Sequence, residues 1–282
     1  MNARTDPSNL AIPRLDYLAI PSGIHVPHVA NGAGETLLFV HGSLCDYRYW
    51  NPQTAILAQR FHCVSVSLSH YWPADGGVDG EFGWKKHVDE LAAFIAALDR
   101  GPVHLVGHSR GGCVAFQLAR AWPALVKSLV LADPGGALQI DGTPEAQLAP
   151  ATIGLRTKVA ELVEGGEIEA GLELFVDSVS MPGIWRRSPA GFRNMAIDNA
   201  ATLPKQFRDP LPAYTRAAAG EVGCRTLLIA GEKSPRMYRH NVDQLAEWMV
   251  QAQKTSVAGA SHGMNVTHPA AFNRLLEAFL AS

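Results

Sequence analysis

The sequence predicts an α/β protein: a mostly parallel sheet flanked by helices, with a helical stretch inserted late in the chain. Three observations predict it. Short apolar runs of strand length alternate with segments whose apolar residues recur at helical spacing. One alternation encloses Gly107-His108-Ser109-Arg110-Gly111, a turn of small residues between an apolar run and a helical pattern. From about 135 to 220 the strand-like runs stop and only helical patterns continue.

In chain order, residues 15–29 predict an antiparallel hairpin, followed by strands at 36–40, 63–68, 103–106, 128–132 and 226–230. Most are rich in Val, Leu and Ile, as strands covered on both faces should be. Trp84, Val88, Leu91, Ile95 and Leu98 form an apolar helical stripe, and 112–122 reads as another helix. Val242, Leu245, Ala246 and Met249 make a further stripe, and Phe272, Leu275, Leu276, Phe279 and Leu280 make the one that closes the chain. Within the insert, Thr143-Pro144 and Ser188-Pro189 are helix-start signals, because proline suits the first helical position. Gly165-Gly166 is a break, after which Ile168, Leu172, Phe175, Val176 and Val179 keep helical spacing. The expected organisation is a core of residues 1–134 and 221–282 with a helical cap at 135–220.

Composition narrows the function classes. Lys and Arg total 24 against 26 Asp and Glu, with no long basic run, so neither nucleic acid nor an anionic membrane is an expected partner. The polar N-terminus lacks the apolar stretch of a signal peptide, and no run nears the roughly 20 residues of a membrane span. Cys45, Cys63, Cys113 and Cys224 are far apart, which suits reduced thiols in a cytoplasmic protein. His25 with His28 and His104 with His108 lack the carboxylate or thiol cluster that would complete a metal site, so no metal and no cofactor is expected. Gly32-Ala33-Gly34 has no following helix to hold a dinucleotide.

The chemistry centres on Ser109. A G-x-S-x-G turn between strand and helix holds the serine in a strained conformation with its hydroxyl clear of the sheet, at a helix N-terminus that favours developing negative charge. The Arg110 amide is one expected oxyanion donor, with Leu44 favoured over Ser43 as the second; Gly42 lets that loop approach the nucleophile. His41 is expected to orient the loop by hydrogen bonding. Asp46, Tyr49 and Trp50 belong either to loop packing or to the pocket wall. Among eleven histidines His262 is the expected base, because it follows a strand-like run at 255–257 and precedes the last helix. His240 and His268 are its late rivals, read as surface or cap residues.

His41-Gly42, the elbow at Ser109 and His262 before the last helix together resemble the α/β-hydrolase superfamily, over about 15–280. Esterase-like and C–C-hydrolase-like members with a helical lid are the most similar. The resemblance implies a catalytic acid in a Gly-x-x-Asp arrangement after the strand at 226–230, where this chain has Gly231-Glu232-Lys233-Ser234. Ser234 stands in place of the aspartate. Asp133, after the strand at 128–132, resembles the acid position of certain haloalkane dehalogenases. Glu232 is the rival, and a Ser-His dyad without an acid is the third option. Asp133 read as a turn residue before Pro134-Gly135-Gly136 is the structural alternative.

The expected function is hydrolysis of a carboxylic ester, or a related acyl bond, of a small apolar or aromatic molecule through an acyl-enzyme. Serine at the elbow argues against the aspartate-dependent dehalogenase and epoxide hydrolase chemistries. Thioester, lactone, amide and C–C hydrolysis and perhydrolysis stay open, as do a non-catalytic small-molecule binder and a cofactor-free oxygenase on the same fold. Phe175, Met181, Trp185, Phe192, Met195 and Phe207, with Trp50 and Met264, are the candidate pocket residues or else packing. A monomer or homodimer with a small acyl substrate is the expected assembly.

Overall fold

The structure is a computed structural model that describes residues 14–73, 81–146 and 148–281. The chain runs β1 (Leu15–Ala19), β2 (His25–Asn31), β3 (Thr36–Val40), α1 (Asn51–Leu57), β4 (His62–Val66), α2 (Trp84–Leu98), β5 (Val103–His108), α3 (Arg110–Ala121) and β6 (Val126–Ala132). Then come α4 (Pro150–Glu164), α5 (Ile168–Val179), α6 (Ile184–Arg187), α7 (Ala190–Asp198), α8 (Thr202–Arg208) and α9 (Arg216–Gly220). It closes with β7 (Arg225–Gly231), α10 (Arg236–Trp248), β8 (Ala252–Val257), α11 (Met264–Thr267) and α12 (Pro269–Leu280).

The strands form one eight-stranded sheet in the order β1-β2-β4-β3-β5-β6-β7-β8. The β1–β2 hairpin is antiparallel and joins β4 antiparallel; every later pairing is parallel. β3 and β5 are buried throughout because helices cover both faces of the sheet. Their side chains divide with the period of two that a strand imposes. Leu38, Val40 and Leu105 enter a core with Leu91 and Phe94 of α2, Phe116 of α3 and Leu245 of α10. Leu37, Phe39 and Val106 enter the opposite core, with Trp50, Phe272 and Leu276. The edge strands β1 and β8 are mostly exposed or half-buried.

From β3 the chain steps outward to β4, then crosses to β5 on the other side of β3 and continues outward to β8. The direction therefore reverses between β3 and β5, and a crevice opens there at the carboxyl ends of the strands. The loops after β3, β5, β6 and β8 all end on this side of the sheet.

Most expected strands differ from the observed ones only at their ends, as strand 63–68 does in becoming His62–Val66. One helix start is misplaced. No helix begins at Thr143-Pro144, because local side chains take up the backbone there. Thr143 Oγ donates to Ile140 O at 2.6 Å, and Gln139 Oε1 accepts from Ala146 N at 2.6 Å, closing a turn. The helix begins at Pro150 instead, again with proline in the first turn. The break at Gly165 and the start after Ser188-Pro189 are where the sequence puts them. Helices α4–α9 lie between β6 and β7; α4–α8 have a core of their own, with Val159, Leu172, Trp185, Ala196 and Leu203, while α9 packs on the sheet core through Ala218 and Ala219. Among the described residues, no helix is long and apolar enough to cross a membrane.

Candidate active site

Ser109 occupies the step from β5 to α3 with φ 53° and ψ −121°, a conformation that costs a non-glycine residue about 1–3 kcal/mol. Its backbone is fixed from three sides. Its N–H donates to Ala132 O at 3.1 Å, and its carbonyl accepts from Gly112 N and Gly135 N, each at 2.9 Å. Glycine is required beside it because the β3 loop passes close by: a Cβ on Gly111 would sit 2.2 Å from His41 O. Gly42 answers from the other side, where a Cβ would lie 3.0 Å from Ser109 Cβ.

Leu44, in the β3 loop, also has positive φ, at 60°. Leu44, Ser43 and Arg110 all line the cavity that holds Ser109. Neither the Leu44 nor the Arg110 amide donates to a backbone acceptor among the described residues. His41 holds the loop as expected. The Leu68 amide donates to its Nε2 at 3.1 Å, so Nδ1 carries the proton and donates to Gly42 O at 2.8 Å. Burial pushes the His41 pKa down to about 4, which keeps the ring neutral in these contacts.

His262 follows β8, and its Nδ1 lies 3.1 Å from Asp133 Oδ2. Asp133 is fully buried after β6, with φ 42°, a region aspartate tolerates better than most residues. The same Oδ2 accepts a hydrogen bond from Ser234 Oγ, while Oδ1 accepts from Gly231 N at 3.3 Å. Ser234 therefore serves the carboxylate from the position where the resemblance implied the carboxylate itself. The rival Glu232 faces away. It is exposed, and its carboxylate accepts from Gly259 N at 2.6 Å.

Two residues beside His262 carried no functional signal in the sequence. Tyr238 of α10 stacks on the imidazole, with ring centroids 3.9 Å apart and planes at 22°. It lines the same cavity as Ser109, and burial pushes its phenol up, so the hydroxyl is neutral. His108, inside the elbow, donates from Nε2 to the His262 carbonyl at 2.8 Å and so fixes the backbone of that loop. Burial and the neighbouring His262 push His108 well down, consistent with its unprotonated, unpartnered Nδ1. Stacking and backbone support arise from tertiary packing and leave no periodicity to read.

The Arg110 side chain points away from solvent. It is buried, forms an ion pair with Asp209 at 2.6 Å, and lies over the Phe82 ring at 5.0 Å. The elbow is thereby tied to the end of α8. Asp46, buried with no exposed side chain, accepts from Asn199 Nδ2 at 2.8 Å and pairs with Arg48, which fixes α7 to the loop after β3.

Ser109 and His262 open into a cavity of about 1700 Å³, larger than the few hundred Å³ usual for small-ligand sites. Phe175, Phe192 and Phe207 line it from the helices, Met181 from the α5–α6 connection, and Tyr49 from the β3 loop. Four expected pocket residues do not. Trp50 packs against Phe39 and Phe272 in the core beneath the sheet. Met264 belongs to the same core. Trp185 fills the core of the α4–α9 segment. Each is a large apolar side chain drawn to the nearest dry interior. Met195 likewise packs beneath the sheet. His240 is exposed on α10, and His268 caps α12, beside Thr267 Oγ.

The model of the Alpha/beta hydrolase family matches residues 37–275, and the chain belongs to that family. It is 34% identical over 101 residues to RutD of Pantoea ananatis (strain LMG 20103), a match that spans 36% of this chain and 37% of that one. It is 24% identical over 273 residues to a 2-hydroxymuconate semialdehyde hydrolase of Pseudomonas sp. (strain CF600), covering 95% of each. Its fold is shared with an esterase from Exiguobacterium antarcticum at TM-score 0.80 and 17% identity, over 95% of this chain and 99% of that one.

Proposed function

We propose that the protein is a serine hydrolase that cleaves a carboxylic ester, or a related acyl bond, of a small and largely apolar molecule. The contact of 3.1 Å between His262 Nδ1 and the buried Asp133 carboxylate, in the cavity that Ser109 lines, carries this reading. In this reading Asp133 fixes the imidazole with its proton on Nδ1, which leaves Nε2 as the base. His262 takes the Ser109 proton, and the Ser109 oxygen attacks the acyl carbon. The Leu44 and Arg110 amides bind the oxyanion, with the Ser43 amide as the alternative to Leu44. His262 then protonates the leaving alcohol, and a water activated by the same nitrogen releases the acid. The π-face of Tyr238 against His262 favours the imidazolium of each intermediate.

Helices α4–α9 supply most of the apolar wall and act as the lid, residues 135–220, that selects the substrate. Hydrolysis of a C–C or lactone bond at the same serine is the second reading. The full-length similarity to a semialdehyde hydrolase favours it.

The test is p-nitrophenyl ester hydrolysis together with labelling by a fluorophosphonate. Ser109→Ala is expected to lower kcat by about 10⁵-fold and to abolish labelling. Undiminished turnover in that variant would falsify the nucleophile assignment.

A further inference from the structure

Arg156 of α4 is a half-buried cation that lines the cavity. Among the described residues it makes no ion pair. Its one ring contact is to Phe207, with the guanidinium 5.4 Å from the ring centroid. Its surroundings are apolar: Leu155 beside it, and Phe175 and Phe207 on the same wall. Elsewhere in the helical segment Arg186 pairs with Glu173 and Arg208 with Glu164, while Arg193, which makes no ion pair among the described residues, is not part of the cavity lining. The other buried guanidinium in the cavity, Arg110, pairs with Asp209. Arg187 lines the cavity but is exposed and donates to Pro182 O. The one described carboxylate in the lining outside the site, Glu145, is exposed and makes no ion pair with Arg156.

Arg156 shares the cavity with Ser109 and His262. Its charge acts on the phenol of Tyr238, the ring stacked on His262. Burial and the like charge of Arg110 both disfavour the Arg156 cation. An uncompensated guanidinium in an apolar wall is costly unless an anion completes it. Its planar fork suits the two oxygens of a carboxylate.

We propose that Arg156 is a specificity residue that binds a carboxylate of the substrate, so that the enzyme selects acidic esters over neutral ones of the same length. This rests on the hydrolase reading above and adds the charge of the substrate to it. The apolar wall holds the hydrocarbon portion, and Arg156 holds the anionic end while the ester carbonyl meets Ser109.

The experiment compares mono-p-nitrophenyl glutarate with neutral p-nitrophenyl valerate in the wild type and in Arg156→Gln, Arg156→Lys and Arg156→Glu. The readout is the ratio of kcat/KM for the anionic ester to that for the neutral one. The wild type is expected to prefer the glutarate ester by tenfold or more. Arg156→Gln should lower the ratio by about 100-fold, Arg156→Lys should restore part of it, and Arg156→Glu should reverse the preference. A ratio unchanged within about twofold in Arg156→Gln overturns the proposal. If the wild type cleaves neither ester, the hydrolase reading fails separately, and glutarate binding by calorimetry decides on Arg156. Binding weakened tenfold or more in Arg156→Gln supports the subsite. Equal binding by both proteins, or none by the wild type, overturns it.

Discussion

The two walls of the cavity are built by different means. On the sheet side, Leu44, Ser109 and Asp133 all hold positive φ, three of the five described non-glycine residues that do. None of the five lies on α4–α9. The sheet side is fixed by buried hydrogen bonds that leave one geometry: Ser109 between β6 and α3, and Asp133 among His262, Ser234 and Gly231. The helical side is ordinary helix packed largely on its own apolar core, joined to the sheet by polar ties such as Arg110–Asp209 and Asn199–Asp46 and by apolar side chains such as Met195 and Tyr214. Atomic placement is concentrated where the proposed chemistry needs it. Shape and charge, which can vary with the substrate, sit on the wall that tolerates change.

Substitutions can break this contrast. Asp133→Asn should lower kcat for ester hydrolysis by about 10³–10⁴-fold, while Glu232→Gln stays within about twofold. Equal effects of the two would end the distinction between a held and an idle carboxylate. Gly111→Ala should cost about 3 kcal/mol or more in urea unfolding, because its Cβ would overlap a backbone carbonyl. Gly191→Ala in α7, where nothing lies within 4 Å of a new Cβ, should stabilise by about 0.5–1 kcal/mol.

Acid should attack one wall only, since residues 135–220 contain no histidine. His41 has a folded pKa of about 4, below the value of 6.5 for a free histidine. Between those values the unfolded chain binds a proton that the fold refuses. Its contribution to stability is thus complete above about pH 6.5 and is lost as pH falls toward 4. From pH 7.5 to 5 this amounts to about 2 kcal/mol, and His41→Gln should flatten the urea-unfolding free energy against pH by that amount. His87 and His108, pushed down by the same burial, keep part of the slope in the variant. The smallest effect belongs to the helical wall. Phe175→Leu should change KM for apolar esters by no more than about fivefold and leave kcat nearly as it was.

The inner strands were legible because they are buried on both faces and rich in Val, Leu and Ile, whereas the exposed edge strand β8 showed only its last residues, 255–257. The elbow was legible because its strain demands small residues at fixed offsets. Asp133 could be named from the serine at 234, although only the contact to His262 separates it from Glu232. Trp50, Trp185 and Met264 were misjudged because a large apolar side chain has the same composition in a pocket wall as in a core. Tyr238 and Arg156 went unread for a related reason. Their meaning lies in what does or does not stand opposite them, and that neighbour is remote in sequence.

The position of Asp133 also bears on how relatives should be aligned. β6 and β7 are paired in register, with Ala132 beside Ile229, and neighbouring strands lie about 4.8 Å apart. That lateral step is close to the span from an aspartate Cα to the hydroxyl of a serine facing it. A carboxylate can therefore move one strand sideways and still bring its oxygen to the same imidazole, provided the vacated site donates a hydrogen bond.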